Sequence, residues 1–326
     1  MKKRMLIGIL LIQFILFSCK KDYDIFVVDN NPRDTVWTIP GSPNQLFAKF
    51  LDEIERKPLE ETVADIALGG TVNFPGDIQV HISEKSFNGP GGSLASGTAK
   101  LELVILNSRG QFIRNCKPTS SNGNPLETSA ELLIRIIQNG QELSLIQGKY
   151  IFVSYPESNP SNSMLTHYGE LAGAGNVYLD WTPTADGSYA NTFARPDPLY
   201  PGRTITGYDV KIRQLRWVNC GMLTDTLNRS KITATLPDTY TNANTKVFVV
   251  FDDIRAVVQM QDNASAKIFF ATNIPLSKSV RFISISAINA DYYLGVAPGS
   301  IGANNNYSIK PQKKTLDEIV EFLNTL

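Results

Sequence analysis

From Thr62 onward the chain is a succession of short β-prone runs divided by turn clusters, and that rhythm leaves few architectures open. A strand of four to eight residues buries its apolar face only against a second layer, so many such runs in series fold as sandwiches or barrels. The runs fall at 71–74, 78–83, 97–107, 112–114, 132–137, 142–145 and 151–155, with 177–181 as a closing strand. Between them lie Asn88-Gly89-Pro90-Gly91-Gly92, Ser108-Arg109-Gly110, Ser121-Asn122-Gly123-Asn124-Pro125 and Asn139-Gly140. The last is the favoured dipeptide of a two-residue hairpin, because both positions need positive φ. A second series occupies 208–218, 230–236, 246–251, 256–259, 266–271 and 280–288. Val247-Phe248-Val249-Val250-Phe251 is apolar throughout, as a strand covered on both faces would be, whereas Phe282-Ile283-Ser284-Ile285-Ser286 alternates like a half-solvated one.

Helical spacing shows at the two ends. In 42–57, Leu46, Phe47, Phe50, Leu51 and Ile54 share one stripe, Pro43 suits the opening turn, and Pro58 stops the run. Near the other end Thr315-Leu316-Asp317-Glu318 is a capping box, followed by the stripe Leu316, Ile319, Val320, Leu323 and Leu326. The fold class expected is all-β: two β-sandwich-like domains with a short N-terminal helix and a C-terminal helix. The helix and first sandwich are placed at 44–185, a linker or long loop rich in Pro, Gly, Asn and Asp at 186–204, and the second sandwich with its closing helix at 205–326.

The first 43 residues have another character. Lys2, Lys3 and Arg4 precede an apolar run over 5–17, too short to span a bilayer core of about 30 Å comfortably, so 1–18 reads as a cleaved signal peptide. Leu16-Phe17-Ser18-Cys19 resembles the lipobox of bacterial lipoproteins, which implies lipidation of Cys19 and a lipidated tether over 19–43. Several acyl chains on one residue, at about 0.8 kcal/mol per buried methylene, would hold a water-soluble body to a membrane almost permanently. Lys20-Lys21-Asp22 is similar to the export tags of Bacteroidetes lipoproteins. The expected location is therefore the outer membrane, on its periplasmic or cell-surface side.

Lys plus Arg equals Asp plus Glu, at 31 each, so the chain has no basic field for nucleic acid, which is not an expected partner. Of three cysteines, Cys19 is assigned to lipid. An oxidising compartment permits a disulfide between Cys116 and Cys220; two buried free thiols are the other reading.

A wider resemblance rests on Thr71-Val72-Asn73-Phe74-Pro75, Gly97-Thr98-Ala99-Lys100-Leu101-Glu102-Leu103, Pro118-Thr119-Ser120 with Leu126-Glu127-Thr128, and Asn139-Gly140-Gln141-Glu142-Leu143. This layout resembles the ZU5-like β-sandwiches of secreted Bacteroidetes lipoproteins, and Trp217-Val218-Asn219-Cys220 resembles a strand of the same group. The resemblance implies a sandwich that makes protein contacts, and it brings no catalytic residues.

Chemistry-bearing motifs are few. His81 and His167 are the only histidines, fewer than most zinc hydrolase motifs require, and neither sits in a catalytic-looking loop. The glycines of 89–97 lack the Lys-Ser/Thr of a phosphate loop. Asp252-Asp253 would point to opposite sides of a strand and reads as a polar strand end. Trp37, Tyr189, Tyr200, Tyr292 and Tyr293 occur in turn-rich contexts that could form a sugar platform, or could pack in cores. No catalytic, cofactor or metal residues are assigned. The reading is a non-enzymatic lipid-anchored module contacting an envelope protein or a glycan; the alternatives are a polysaccharide- or peptide-acting hydrolase and an accessory subunit of an outer-membrane complex.

Overall fold

The computed structural model describes residues 35–39, 43–172, 178–197, 200–224, 227–302 and 305–326. The signal peptide, Cys19 and most of the tether lie outside them. Strands dominate, with three α-helices among the described residues: α1 (Gln45–Ile54), α2 (Arg109–Arg114) and α3 (Leu316–Asn324).

The first sandwich is organised around the 15-residue strand Asn124–Gln138. Its sheet runs Leu59–Val63, Ala99–Leu106, Asn124–Gln138, Val218–Leu223, Leu165–Ala172, Tyr178–Pro183. The facing sheet runs Tyr189–Pro196, Thr204–Ile212, Ile151–Pro156, Ile78–Ile82, Gly70–Phe74, antiparallel throughout. Between them lies one apolar core in which Leu101, Leu103, Leu132 and Ile134 meet Val80, Ile151, Val153 and Val210. Asn139 and Gly140 have φ of 51° and 77° and close the predicted hairpin, with Gln138 opposite Gln141.

The second sandwich pairs the sheet Gln261–Asn263, Ile268–Pro275, Arg229–Thr235, Asn306–Ser308 with the sheet Val257–Gln259, Thr245–Phe251, Ser279–Ile288, Asp291–Ser300, Gln312–Lys314. Val247, Val249 and Phe251 face its core, while Phe248 and Val250 face the other way into a separate cluster. That strand is buried on both faces, as its composition predicts. The alternation of 282–286 misleads: Ser284 and Ser286 are fully buried, and Thr245 Oγ1 donates to Ser286 Oγ at 2.9 Å. Serine at every second position marks a solvated face only where no second layer exists.

The separate cluster is a helical layer. Asn44 caps α1 by accepting from the Phe47 amide at 2.8 Å, and Phe47, Phe50 and Ile54 are fully buried, each contributing about 1.5–3 kcal/mol. Thr315 and Glu318 form the predicted capping box of α3. Residues 112–114 correct the expected strand: they end α2, whose start is capped by Ser108 accepting from the Gln111 amide. These helices pack on the back of the last sheet, against Ile283 and Ile285, and on Val104 and Leu106 from the back of the first.

The sandwiches are thus joined, and the described residues form one compact unit. The expected linker at 186–204 is instead the site of strand Tyr189–Pro196, hairpinned to Thr204–Ile212, and both belong to the first sandwich along with Val218–Leu223. Edge position explains the Pro and Asn content, since an edge strand needs no donor on its outer side. Arg255, from the second sandwich, reaches across to bond the Ser129 carbonyl at 2.8 Å and pair with Glu157 at 2.7 Å. Burial works to raise the Glu157 carboxyl, but the hydrogen bond and charge of Arg255 outweigh it and hold the group below its ordinary value.

Cys116 and Cys220 are both free, Cys220 buried and Cys116 only partly so, which fits the free-thiol reading except that Cys116 is not fully buried. Cys220 points into the first core, whereas Cys116 comes just after the Asn115 cap of α2, whose Phe112 and Ile113 sit in the helical layer on the opposite side of the same sheet. Burial pushes the Cys220 thiol up to about 12. A soluble chain starting after Cys19, kept free of reductant, should therefore yield two titratable thiols on denaturation, with Cys220 unreactive toward Ellman's reagent until then. Absence of thiol in the denatured sample would restore the disulfide.

Candidate functional site

The outer face of the second sheet of the first sandwich carries the strongest concentration of chemistry. Strand alternation sends Val80, Ile82, Val153, Val210 and Ile212 inward, and so sends their neighbours out. Cross-strand register then aligns them in two rows. One reads Thr71, His81, Phe152, Lys211, Tyr189; the other reads Asn73, Gln79, Ser154, Asp209, Asn191. Five strands at about 4.8 Å spacing make each row about 19 Å long.

A depression of about 380 Å³ opens on these rows, lined by Thr71, Gln79, His81, Phe152, Ser154, Tyr189, Asn191, Arg195 and Asp209. Phe152 meets Tyr150 edge-on at 5.1 Å and Tyr189 at 6.3 Å, and Tyr189 is 38% exposed. Lys211 Nζ lies 4.4 Å from the Tyr150 ring centre and 5.5 Å from that of Tyr189. Asp209 accepts from Ser154 Oγ at 2.5 Å and pairs with Arg195. Gln79 Nε2 donates to Asn73 Oδ1 at 3.0 Å, and His81 Nδ1 shares a hydrogen bond with Thr71 Oγ1 at 3.1 Å. The surface therefore offers ring faces beside a row of amides and hydroxyls, with one carboxylate already engaged.

Of the five aromatics that could form a platform or pack in cores, the structure brings only Tyr189 to this face. Trp37 lies tilted against Phe269 at 5.1 Å, Tyr292 stacks on Phe50 at 4.8 Å, and Tyr293 meets Tyr240 edge-on at 5.6 Å. Tyr200 is exposed but stands elsewhere, near Arg203. Phe152 and Lys211 went unremarked in the sequence; the signal available was their outward phase in strands whose alternate residues are apolar.

His81 and His167 do not meet, since they occupy different sheets. His167 lies in the first sheet, in a buried row Glu131, Asn219, His167 set by register. Asn219 Nδ2 donates to Thr128 Oγ1 at 2.9 Å and to Glu131 Oε1 at 3.3 Å. Among the described residues, Glu131 Oε2, Asn219 Oδ1 and His167 Nδ1 have no hydrogen-bond partner. Burial drives the Glu131 carboxyl well above the ordinary carboxylate range and lowers His167 below the ordinary imidazole one, so it disfavours charge on both. With Asn219 between them the two form no direct acid–base pair.

Asp252 is bound by Arg281 at 2.9 Å and by Ser279, and Asp253 by Lys278 at 2.5 Å, which makes the pair a polar strand end. No group of three or more His, Cys, Asp or Glu among the described residues is arranged to hold a metal ion. Compared with protein-family models, with curated proteins and with solved structures, the chain matches none.

Proposed function

We propose that this chain is a lipid-anchored outer-membrane protein, held by Cys19, whose first sandwich binds a glycan on the outer face of its second sheet without chemically altering it. The observation that carries the reading is the depression in which the Phe152 and Tyr189 rings border Gln79, Asn191 and Asp209. Sugar rings present apolar C–H faces that stack on aromatics and hydroxyls that pair with amides and carboxylates, so both halves of the surface have a use. No helix among the described residues is long and apolar enough to cross a membrane, and the acyl chains on Cys19 would supply the attachment. The resemblance to ZU5-like sandwiches also favours a binding role.

Native gel electrophoresis through immobilised polysaccharides, on the chain starting after Cys19, tests the reading. Retardation is expected on at least one polysaccharide, and Tyr189→Ala should weaken it about tenfold, the scale of one aromatic contact of about 1.4 kcal/mol. Tyr189 stands on an edge strand and is partly exposed, so its loss should leave the melting temperature nearly unchanged. Retardation that survives the substitution intact would move the site elsewhere.

A further inference from the structure

Resting on that reading, we infer that the glycan is anionic, its carboxylate or sulfate groups being taken by Lys211 at the rim of the depression. The charge inventory of the face motivates this. Asp209 is the sole carboxylate among the residues of the two rows, and Arg195 neutralises it. Lys211 makes no ion pair among the described residues; its ammonium group rests over the faces of Tyr150 and Tyr189. Register fixes it between Phe152 and Tyr189, in the row along which a saccharide would stack. One uncompensated positive charge thus stands directly beside the ring platform.

The arrangement is suited to an acidic sugar more than to a neutral one. A lysine held against two rings has given up part of its hydration and loses less on meeting an anion. The flanking amides of Gln79 and Asn191 offer neutral donors for hydroxyls, so charge recognition is concentrated at one position. A neutral glycan would offer Lys211 hydroxyl acceptors but no counter-charge. An acidic peptide would satisfy the charge but make little use of the row of amides and hydroxyls beside the rings.

The test uses polygalacturonate and its methyl-esterified form, which share a backbone and differ in charge, together with alginate, neutral mannan and poly-glutamate. Expected is retardation by an acidic polysaccharide and at least tenfold less by the neutral ones. Lys211→Gln should lower the acidic affinity about tenfold and flatten its dependence on salt, as loss of one screened ion pair requires. Equal retardation by acid and ester, or retardation by neutral chains alone, overturns the charge inference and leaves the glycan reading standing. Retardation by poly-glutamate to the same degree, or acidic binding unaffected by Lys211→Gln, also overturns it. No retardation by any polysaccharide removes the glycan reading and this inference together.

Discussion

Gly110→Ala should lower stability by about 3 kcal/mol or more, beyond the usual 1–3 kcal/mol of an overpacked core, and the melting temperature by roughly 5–10 °C. The reason is a helix crossing with no room in it. A Cβ built on Gly110, in α2, would fall 1.6 Å from the Leu323 carbonyl oxygen and 2.5 Å from its carbon, in α3. Both are backbone atoms held by the helix, so no side-chain rotation relieves the overlap. Relief requires α3 to lift away, and that exposes Ile319 and Leu323, which are otherwise fully buried. Gly302→Ala is the control, since its Cβ meets nothing within 4 Å. Calorimetry or thermal circular dichroism reads both; an unshifted Gly110→Ala transition would contradict the crossing.

Glu131→Gln should have the opposite sign, and only above mildly acidic pH. The unfolded chain releases the Glu131 proton near pH 4.3, as an ordinary glutamate does. The folded chain keeps it to higher pH, because ionising a fully buried carboxyl whose Oε2 has no partner costs more than Asn219 and the charge of Lys117 return. Between those two values the native state binds one proton more than the unfolded state, so stability falls by about 1.4 kcal/mol per pH unit. The stability this proton contributes is fully present below about pH 4.3 and is lost as pH rises toward the folded value. Glutamine keeps the shape and the acceptor for Asn219 Nδ2, and has no proton to lose. Urea unfolding of both proteins at pH 4.5, 6 and 8 should give curves that nearly coincide at the first value and separate progressively, the variant being the more stable. Other titrating groups cancel in the comparison, and parallel profiles would mean that Glu131 ionises freely.

The elements with strong local signals were legible in the sequence. The capping box at Thr315 and Glu318, the Asn139-Gly140 turn and the doubly covered strand around Val249 each follow from a few adjacent residues. Helix α2 did not, because Phe112 and Ile113 are apolar neighbours in a six-residue stretch too short to show a period, and Ser108 passes for a turn residue as readily as for a cap. Tyr189–Pro196 escaped because an edge strand open to water on its outer side carries no alternation worth reading. The site itself is a product of register. Thr71, His81, Phe152, Lys211 and Tyr189 come from five strands, and nothing local to any of them announces the others.

The order of strands in the first sheet has a consequence for how this molecule can be cut. Val218–Leu223 lies in its middle, between Asn124–Gln138 and Leu165–Ala172, although it is the last of that sheet's strands to be synthesised. A fragment ending before it would own most of a sandwich and lack the rung that holds the two halves of the sheet together. The first sheet therefore cannot close until residue 223 has been made, and a shortened gene would encode an open ladder in place of a smaller sandwich.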